Sequence, residues 1–279
     1  MNGMQPWLQL IEKASLRILQ HDLHRRTELQ QRERVLPFYV VAFVREGACR
    51  LRFGGKDYRA RKGEALFVPP HALHDLVKDS DEPATFLSWH FTLTIADCID
   101  ALQWFQLPPV FRIPEPERFE GIFLEYRQCT ERPRSLADSL MAGAKAQELA
   151  AILIESALAR PEVRLKAIYA DAFTAILNEL LDAPEARIDL AGLGERYHMH
   201  PTYVSNQFKR IFGITPMQLQ LHLRLRKAKQ LLEMEKRPIA EIARLTGYED
   251  ADDFSRFFKS KTGVSPLKYR NERDQDSNS

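Results

Sequence analysis

The 279-residue sequence predicts an α+β protein of two domains. An N-terminal β-barrel with helices spans residues 1–161, and an all-α domain with two helix-turn-helix units spans residues 162–279. Three observations carry this. Residues 35–94 break into short β-rich stretches separated by Gly-containing turns. From about Arg164 onward, apolar residues recur at helical spacing. Within that helical half a whole supersecondary pattern occurs twice.

In chain order, residues 4–26 carry Trp7, Leu8, Leu10, Ile11, Leu16, Ile18, Leu19 and Leu23. Their spacing fits one amphipathic helix or two short ones, packed on its own domain or serving as a ligand-responsive arm. Strands are predicted over Phe38–Arg45, Ala48–Phe53, Asp57–Arg61, Glu64–Val68 and Thr85–Thr94. Glu46-Gly47, Gly54-Gly55 and Lys62-Gly63 lie between them and predict successive hairpins. Pro69-Pro70 stops a strand, because neither proline donates to a ladder. Helices are predicted over Glu117–Cys129, Arg134–Arg160, Arg164–Leu181 and Met217–Met234, and the tail after Arg273 is expected to be disordered. Ala159-Arg160-Pro161 marks the expected boundary.

The repeat is read directly. SNQFKRIFGITP begins at Ser205 and SRFFKSKTGVSP at Ser255, an offset of fifty. Upstream the offset is forty-nine: Leu190, Leu193 and Gly194 match Ile239, Ile242 and Ala243. The second copy therefore has one extra residue in its turn, near Gly247. The units span about 188–213 and 238–263. Two short helices around a Gly-containing turn make a helix-turn-helix, whose second helix enters the major groove. Net charge is only +2 over the chain, but Arg196–Arg270 holds fifteen Lys and Arg against seven Asp and Glu. A solvated helix face would show the same excess, but here it coincides with the repeats.

The run I-A-E-I-A-x-x-x-G-Y-x-D-x-x-x-F-S-R-x-F-K-x-x-x-G-x-S-P-x-x-Y-R, Ile239 to Arg270, resembles the DNA-binding domain of AraC/XylS-type bacterial transcription regulators. The resemblance covers residues 188–270 and implies seven helices, two reading helices and a connecting helix. RKGEALFVPPHALHD resembles the Gly-strand-Pro-Pro turn of the family's cupin-like ligand domain. The function implied is a ligand-responsive, sequence-specific regulator of transcription, by family an activator of a sugar or small-acid operon. Its partners would be double-stranded promoter DNA, a small-molecule effector, a second copy paired through the helices after the barrel, and RNA polymerase. The first copy departs from the family pattern at Gly194, with Gly192 nearby. Each Gly costs a helix up to about 1 kcal/mol relative to Ala, so the first unit is expected to be less rigid.

In the first reading helix Tyr203, Val204, Phe208 and Phe212 are expected inside, leaving His200, Thr202, Ser205, Asn206 and Lys209 outward. In the second, Phe254, Phe257 and Phe258 are expected inside. The resemblance puts base contacts at Thr202, Ser205 and Asn206, and at Asp252, Ser255 and Arg256. Asn pairs with adenine and Arg with guanine; Asp252 either accepts from cytosine or only caps its helix. Lys209, Arg210, Lys259, Lys261 and Arg270 are phosphate candidates. A connecting helix of eighteen residues is roughly 27 Å long and suits two successive major grooves.

For the effector, Arg45 by resemblance stands where the family has a sugar-binding Arg. Alternation places Phe86, Ser88 and His90 on one face, which by similarity lines the barrel, and His74 is a further candidate. His71, His74 and His90, completed by Asp75 or Glu82, raise a rival reading: a metal-dependent cupin enzyme fused to a DNA-binding module. The pair is His-x-x-His rather than the His-x-His of those enzymes, so no metal and no other cofactor is expected. Cys49, Cys98 and Cys129 form no C-x-x-C pair, which fits a reducing cytoplasm. MNGMQPWLQL has no signal-peptide pattern, and no run of eighteen apolar residues exists.

Overall fold

The computed structural model describes residues 5–79, 83–131, 135–160, 170–234 and 236–276. Two compact units are present. One runs from Ala14 to Thr94 and from Asp100 through the helix ending at Leu158; the other joins the N-terminal helix, residues 95–99 and everything from Ala170 onward. The expected 161/162 boundary, Arg134, Glu82 and residues 164–169 of the Arg164–Leu181 helix lie outside the described residues.

The β unit consists of two antiparallel sheets. The first contains β1 (Ala14–Arg26), β3 (Tyr39–Glu46), β6 (Glu64–Val68), β8 (Ala84–Ile95) and β10 (Val110–Arg112), in the order β1-β8-β3-β6-β10, with β9 (Ile99–Asp100) against β8. The second has the order β2-β7-β4-β5, built from β2 (Gln30–Arg34), β7 (His74–Lys78), β4 (Ala48–Phe53) and β5 (Lys56–Arg61). Only one expected hairpin forms, between β4 and β5 around Gly54-Gly55. At Glu46-Gly47 and Lys62-Gly63 the chain changes sheets, so those turns join strands that are not neighbours. Gly47 at φ +76° and Gly63 at φ +83° supply the left-handed backbone these crossings need.

β3 is buried on both faces, so it reads as an unbroken apolar run, YVVAFV. Val40, Ala42 and Val44 face the interior between the sheets, where they join Leu66, Leu76 and Phe86. Phe43 faces the other way, onto α2 (Pro116–Glu131), with its ring 5.1 Å from that of Phe119. Trp89 of β8 stacks there on Phe119 at 5.5 Å and on Phe123 at 6.3 Å. Burying such rings contributes about 1.5–3 kcal/mol each. α3 (Leu136–Leu158) lies against α2, with Lys145 Nζ 2.7 Å from Glu125 Oε2. Its start is capped by Ser135 Oγ, which accepts from the Asp138 N–H at 3.0 Å.

The helical unit contains α1 (Gln5–Glu12) and seven further helices: α4 (Ala170–Asp182), α5 (Leu190–Arg196), α6 (Pro201–Phe212), α7 (Pro216–Met234), α8 (Ile239–Leu245), α9 (Ala251–Thr262) and α10 (Pro266–Asp276). Among the described residues these seven equal the number the family resemblance implied. The N-terminal segment differs from expectation twice. The helix stops at Glu12 and residues 14–26 form a strand, because Leu16 and Ile18 alternate with outward Ser15, Arg17 and Leu19. Further, α1 groups with the helical unit, where Leu10 is fully buried and Lys13 Nζ lies 2.7 Å from Asp182 Oδ1. α10 continues to Asp276, so the start of the tail expected to be disordered is helical.

Candidate functional site

The two helix-turn-helix units are α5–α6 and α8–α9, bounded as the repeat predicts. Each reading helix begins at a side-chain cap and ends at a left-handed Gly. His200 Nδ1 accepts from the Thr202 N–H at 3.3 Å, and Pro201 occupies the first helical position. Asp250 Oδ1 accepts from the Asp252 N–H at 2.6 Å. The cap of α9 is thus Asp250, which leaves Asp252 outward and free of the capping role considered for it. Gly213 at φ +77° and Gly263 at φ +81° end the two helices.

On α6, Val204, Phe208 and Phe212 are buried, while Thr202, Asn206, Lys209 and Arg210 are exposed and Ser205 is half-buried. Tyr203 corrects expectation: it is 40 % exposed and belongs to the outward face. On α9, Phe254 and Phe258 are buried; Phe257 is only half-buried and stacks on Tyr248 at 5.2 Å. Asp252, Arg256, Lys259 and Lys261 are exposed, and Ser255 is half-buried. Arg256, 74 % exposed, pairs with Asp253 one turn back. That pair lies on the outward face, and an exposed pair of this kind is worth only about 0–1 kcal/mol. Arg270 departs from the phosphate set. It is half-buried and donates through Nη2 to the Arg237 carbonyl at 2.7 Å, tying α10 to the start of α8.

Gly192 and Gly194 both stand where an added Cβ would meet other atoms. A Cβ on Gly194 would lie 2.5 Å from the Met199 carbonyl, and one on Gly192 2.7 Å from Oδ2 of Asp189, the cap of α5. Gly194 therefore lets the turn between α5 and α6 close, whereas the neighbour of Gly192 is the movable end of a side chain.

In the β unit, strand register puts Phe86, Ser88 and His90 opposite Val44, Ala42 and Val40, on the interior face. Arg34 of β2 pairs with His74 of β7 across the facing sheet, so these two share a face as well. His24 of β1 lies 5.2 Å from the Phe86 ring, and Phe38 stacks on His90 at 5.1 Å. His74 donates through Nδ1 to the Ala72 carbonyl at 2.9 Å. His90 Nδ1 is buried without a hydrogen-bond partner among the described residues. Burial, reinforced by the charges of Arg34, His24 and His74, pushes the His90 imidazole down to about 4. Three basic side chains thus converge on the buried His90 ring, and Asp22, 3.3 Å from His24, pairs with one of them.

Arg45 is not among them. It alternates onto the other face of β3, where its Nε lies 2.9 Å from Glu120 Oε1 of α2. Arg34 and His24, which the sequence reading missed, lie near His90 and Phe86 instead. Arg34 sits in QQRER, a strand without apolar alternation, and only the pairing with His74 shows its direction. His71 is exposed at φ +60° in the Pro-Pro turn. Among the described residues no three of His, Cys, Asp or Glu are grouped to hold a metal ion.

Two family models match the chain: an AraC-like ligand binding domain over residues 22–160 and a helix-turn-helix domain over residues 193–272. The MmsAB operon regulatory protein of Pseudomonas aeruginosa is 26% identical over 276 residues, 94% of this chain and 87% of that protein. The arabinose operon regulatory protein of Escherichia coli is 24% identical over 245 residues, covering 83% and 80%. Among solved structures, the C-terminal domain of AraT from Geobacillus stearothermophilus is 30% identical, with a TM-score of 0.36, over 38% of this chain and 89% of that one. None of these matches supports the metal-enzyme reading. The ligand-domain match, the helix-turn-helix match and the two reading helices agree: the chain belongs to the AraC/XylS-type transcription regulators.

Proposed function

We propose that this regulator answers to a small effector carrying an anionic group, held in the interior of the β unit. The carrying observation is the convergence of His24, Arg34, His74 and His90 beside the rings of Phe38 and Phe86. Asp22 pairs with His24, and an anion supplies counter-charge for Arg34, while the rings and Ser88 contact its carbon frame. Of the sugar and small-acid classes that the sequence allows, this favours the acid. Each protomer reads two successive major grooves in the cytoplasm, through Thr202, Ser205 and Asn206 and through Asp252, Ser255 and Arg256. Lys209, Arg210, Lys259 and Lys261 hold phosphates. Two copies pair through α3, and the complex activates transcription with RNA polymerase; a relative from Pectobacterium atrosepticum is named a transcriptional activator, RhaR.

Thermal melting of the full chain against a panel of small carboxylates and uncharged sugars tests the effector class. A ligand present at 100 times its Kd raises stability by about 2.7 kcal/mol. Carboxylates should give the shift and sugars none, and Arg34→Ala should abolish it. An anion beside His90 also favours the protonated ring, so binding takes up a proton and affinity should rise as the pH falls from about 7 towards 5. A shift produced by sugars alone, or one that survives Arg34→Ala, rules out this site.

A further inference from the structure

The second turn is one residue longer than the first: 246–250 separates α8 from α9, against 197–200 between α5 and α6. His198 at φ +55° and Gly247 at φ +84° are the matching left-handed residues. The longer turn touches the first unit's approach. A Cβ on Gly247 would lie 2.4 Å from the Glu185 carbonyl and 2.7 Å from Nη2 of Arg224. Arg224, near the middle of α7, donates through Nε to the Pro184 carbonyl at 2.9 Å and through Nη2 to the Glu185 and Ala186 carbonyls at 2.8 and 3.3 Å. The same guanidinium covers the Tyr248 ring at 5.4 Å. Gln220 and Lys227, one turn to either side, bind the Ala186 carbonyl and the Glu185 carboxylate (2.8 Å).

This joint sits where α7 passes from one core to the other. Among the described residues, the apolar cluster of the second unit draws on Leu225, Ala228, Leu231 and Leu232 of α7 and on nothing from α4 to α6. A single helix holds the two units apart, but the angle at which each unit packs against it is left to side-chain contacts. We propose that Arg224 is a positioning residue that locks the angle and separation of the two reading helices, and so sets the number of base pairs between the two half-sites. It clamps the segment leading into the first unit to the turn of the second, bypassing the α7 backbone. The proposal rests on the two-groove reading above.

The test uses a duplex selected by the unmodified full chain from a random-sequence library, with one base pair then added or removed between the protected segments. One base pair displaces a half-site by about 3.4 Å and about 35°. The unmodified chain should lose about tenfold in affinity on each altered duplex, as for one wrong base pair. Arg224→Ala should bind the original duplex more weakly yet lose only about threefold or less on the altered ones, and Arg224→Lys should fall between. A spacing penalty unchanged in Arg224→Ala overturns the proposal, whatever happens to overall affinity. If Arg224→Ala does not fold, an unchanged penalty in Arg224→Lys overturns it. The two readings fail differently: one protected segment with the unmodified chain rejects two-groove reading itself, whereas two segments with unchanged penalties reject the joint alone.

Discussion

A methyl group is too large at Gly194 and Gly247, and the two positions show what a sequence conceals. Gly247 reads as a helix end because glycine adopts the left-handed conformation at little cost. Its second constraint, the Glu185 carbonyl 2.4 Å from a would-be Cβ, is a contact sixty-two positions away in the chain and leaves no local mark. Gly194 reads as a weak point for the same reason: helix propensity sees the missing methyl and not the Met199 carbonyl that needs the space. Gly247→Ala should therefore cost more than the roughly 1–2 kcal/mol of a left-handed non-glycine residue, because the turn must also part from Glu185. Gly263→Ala meets open space and should cost only that backbone increment. Melting of the two variants separates the cases; equal losses would show that the Glu185 approach carries no energy. Arg45 and Arg34 give the same lesson in the β unit, since direction comes from pairing, not from residue type.

At the scale of elements, turn chemistry marked where strands end and said little about which strands pair. Glu64–Val68 and Ala48–Phe53 lie where alternation and the flanking glycines predict. The sheet change at Glu46-Gly47 was hidden, because a crossing and a hairpin both demand the same left-handed glycine. β1 was hidden by its own leucines: Leu16, Leu19 and Leu23 sit at helical intervals, while Leu16 and Ile18 fit a strand. The helical half was nearly complete in the sequence, since caps, apolar spacing and repeat all point one way there. α3 shows a further feature. Its first turns expose Leu136 (80 %), Leu140 (67 %) and Met141 (50 %), apolar area that a second copy would cover. Sedimentation should find a dimer, and Leu140→Asp should convert it to a monomer without lowering the melting temperature; a monomeric unmodified chain would remove α3 as the pairing surface.

For the molecule as a whole, charge and topology assign the labour. Positive charge is concentrated between Arg196 and Arg270, while the chain as a whole is nearly neutral. No described helix is long and apolar enough to cross a membrane. In the β unit Arg34 and His74 share a strand-paired face while Arg50, Arg52, Arg59 and Arg61 are exposed, and on the reading helices Lys209, Arg210, Arg256 and Lys259 are exposed. α7, nineteen residues and about 28 Å long, is of a length that suits reading helices placed one groove repeat, about 34 Å, apart.

Hydroxyl-radical footprinting of the selected duplex, repeated with every base pair substituted in turn, tests this arrangement most directly. The account predicts two protected segments on one face, about one helical turn apart. Asn206→Ala should relax base preference in one segment and Arg256→Ala in the other, each at a loss of about 1–3 kcal/mol. A single protected segment, or two variants that relax the same base pairs, would contradict it.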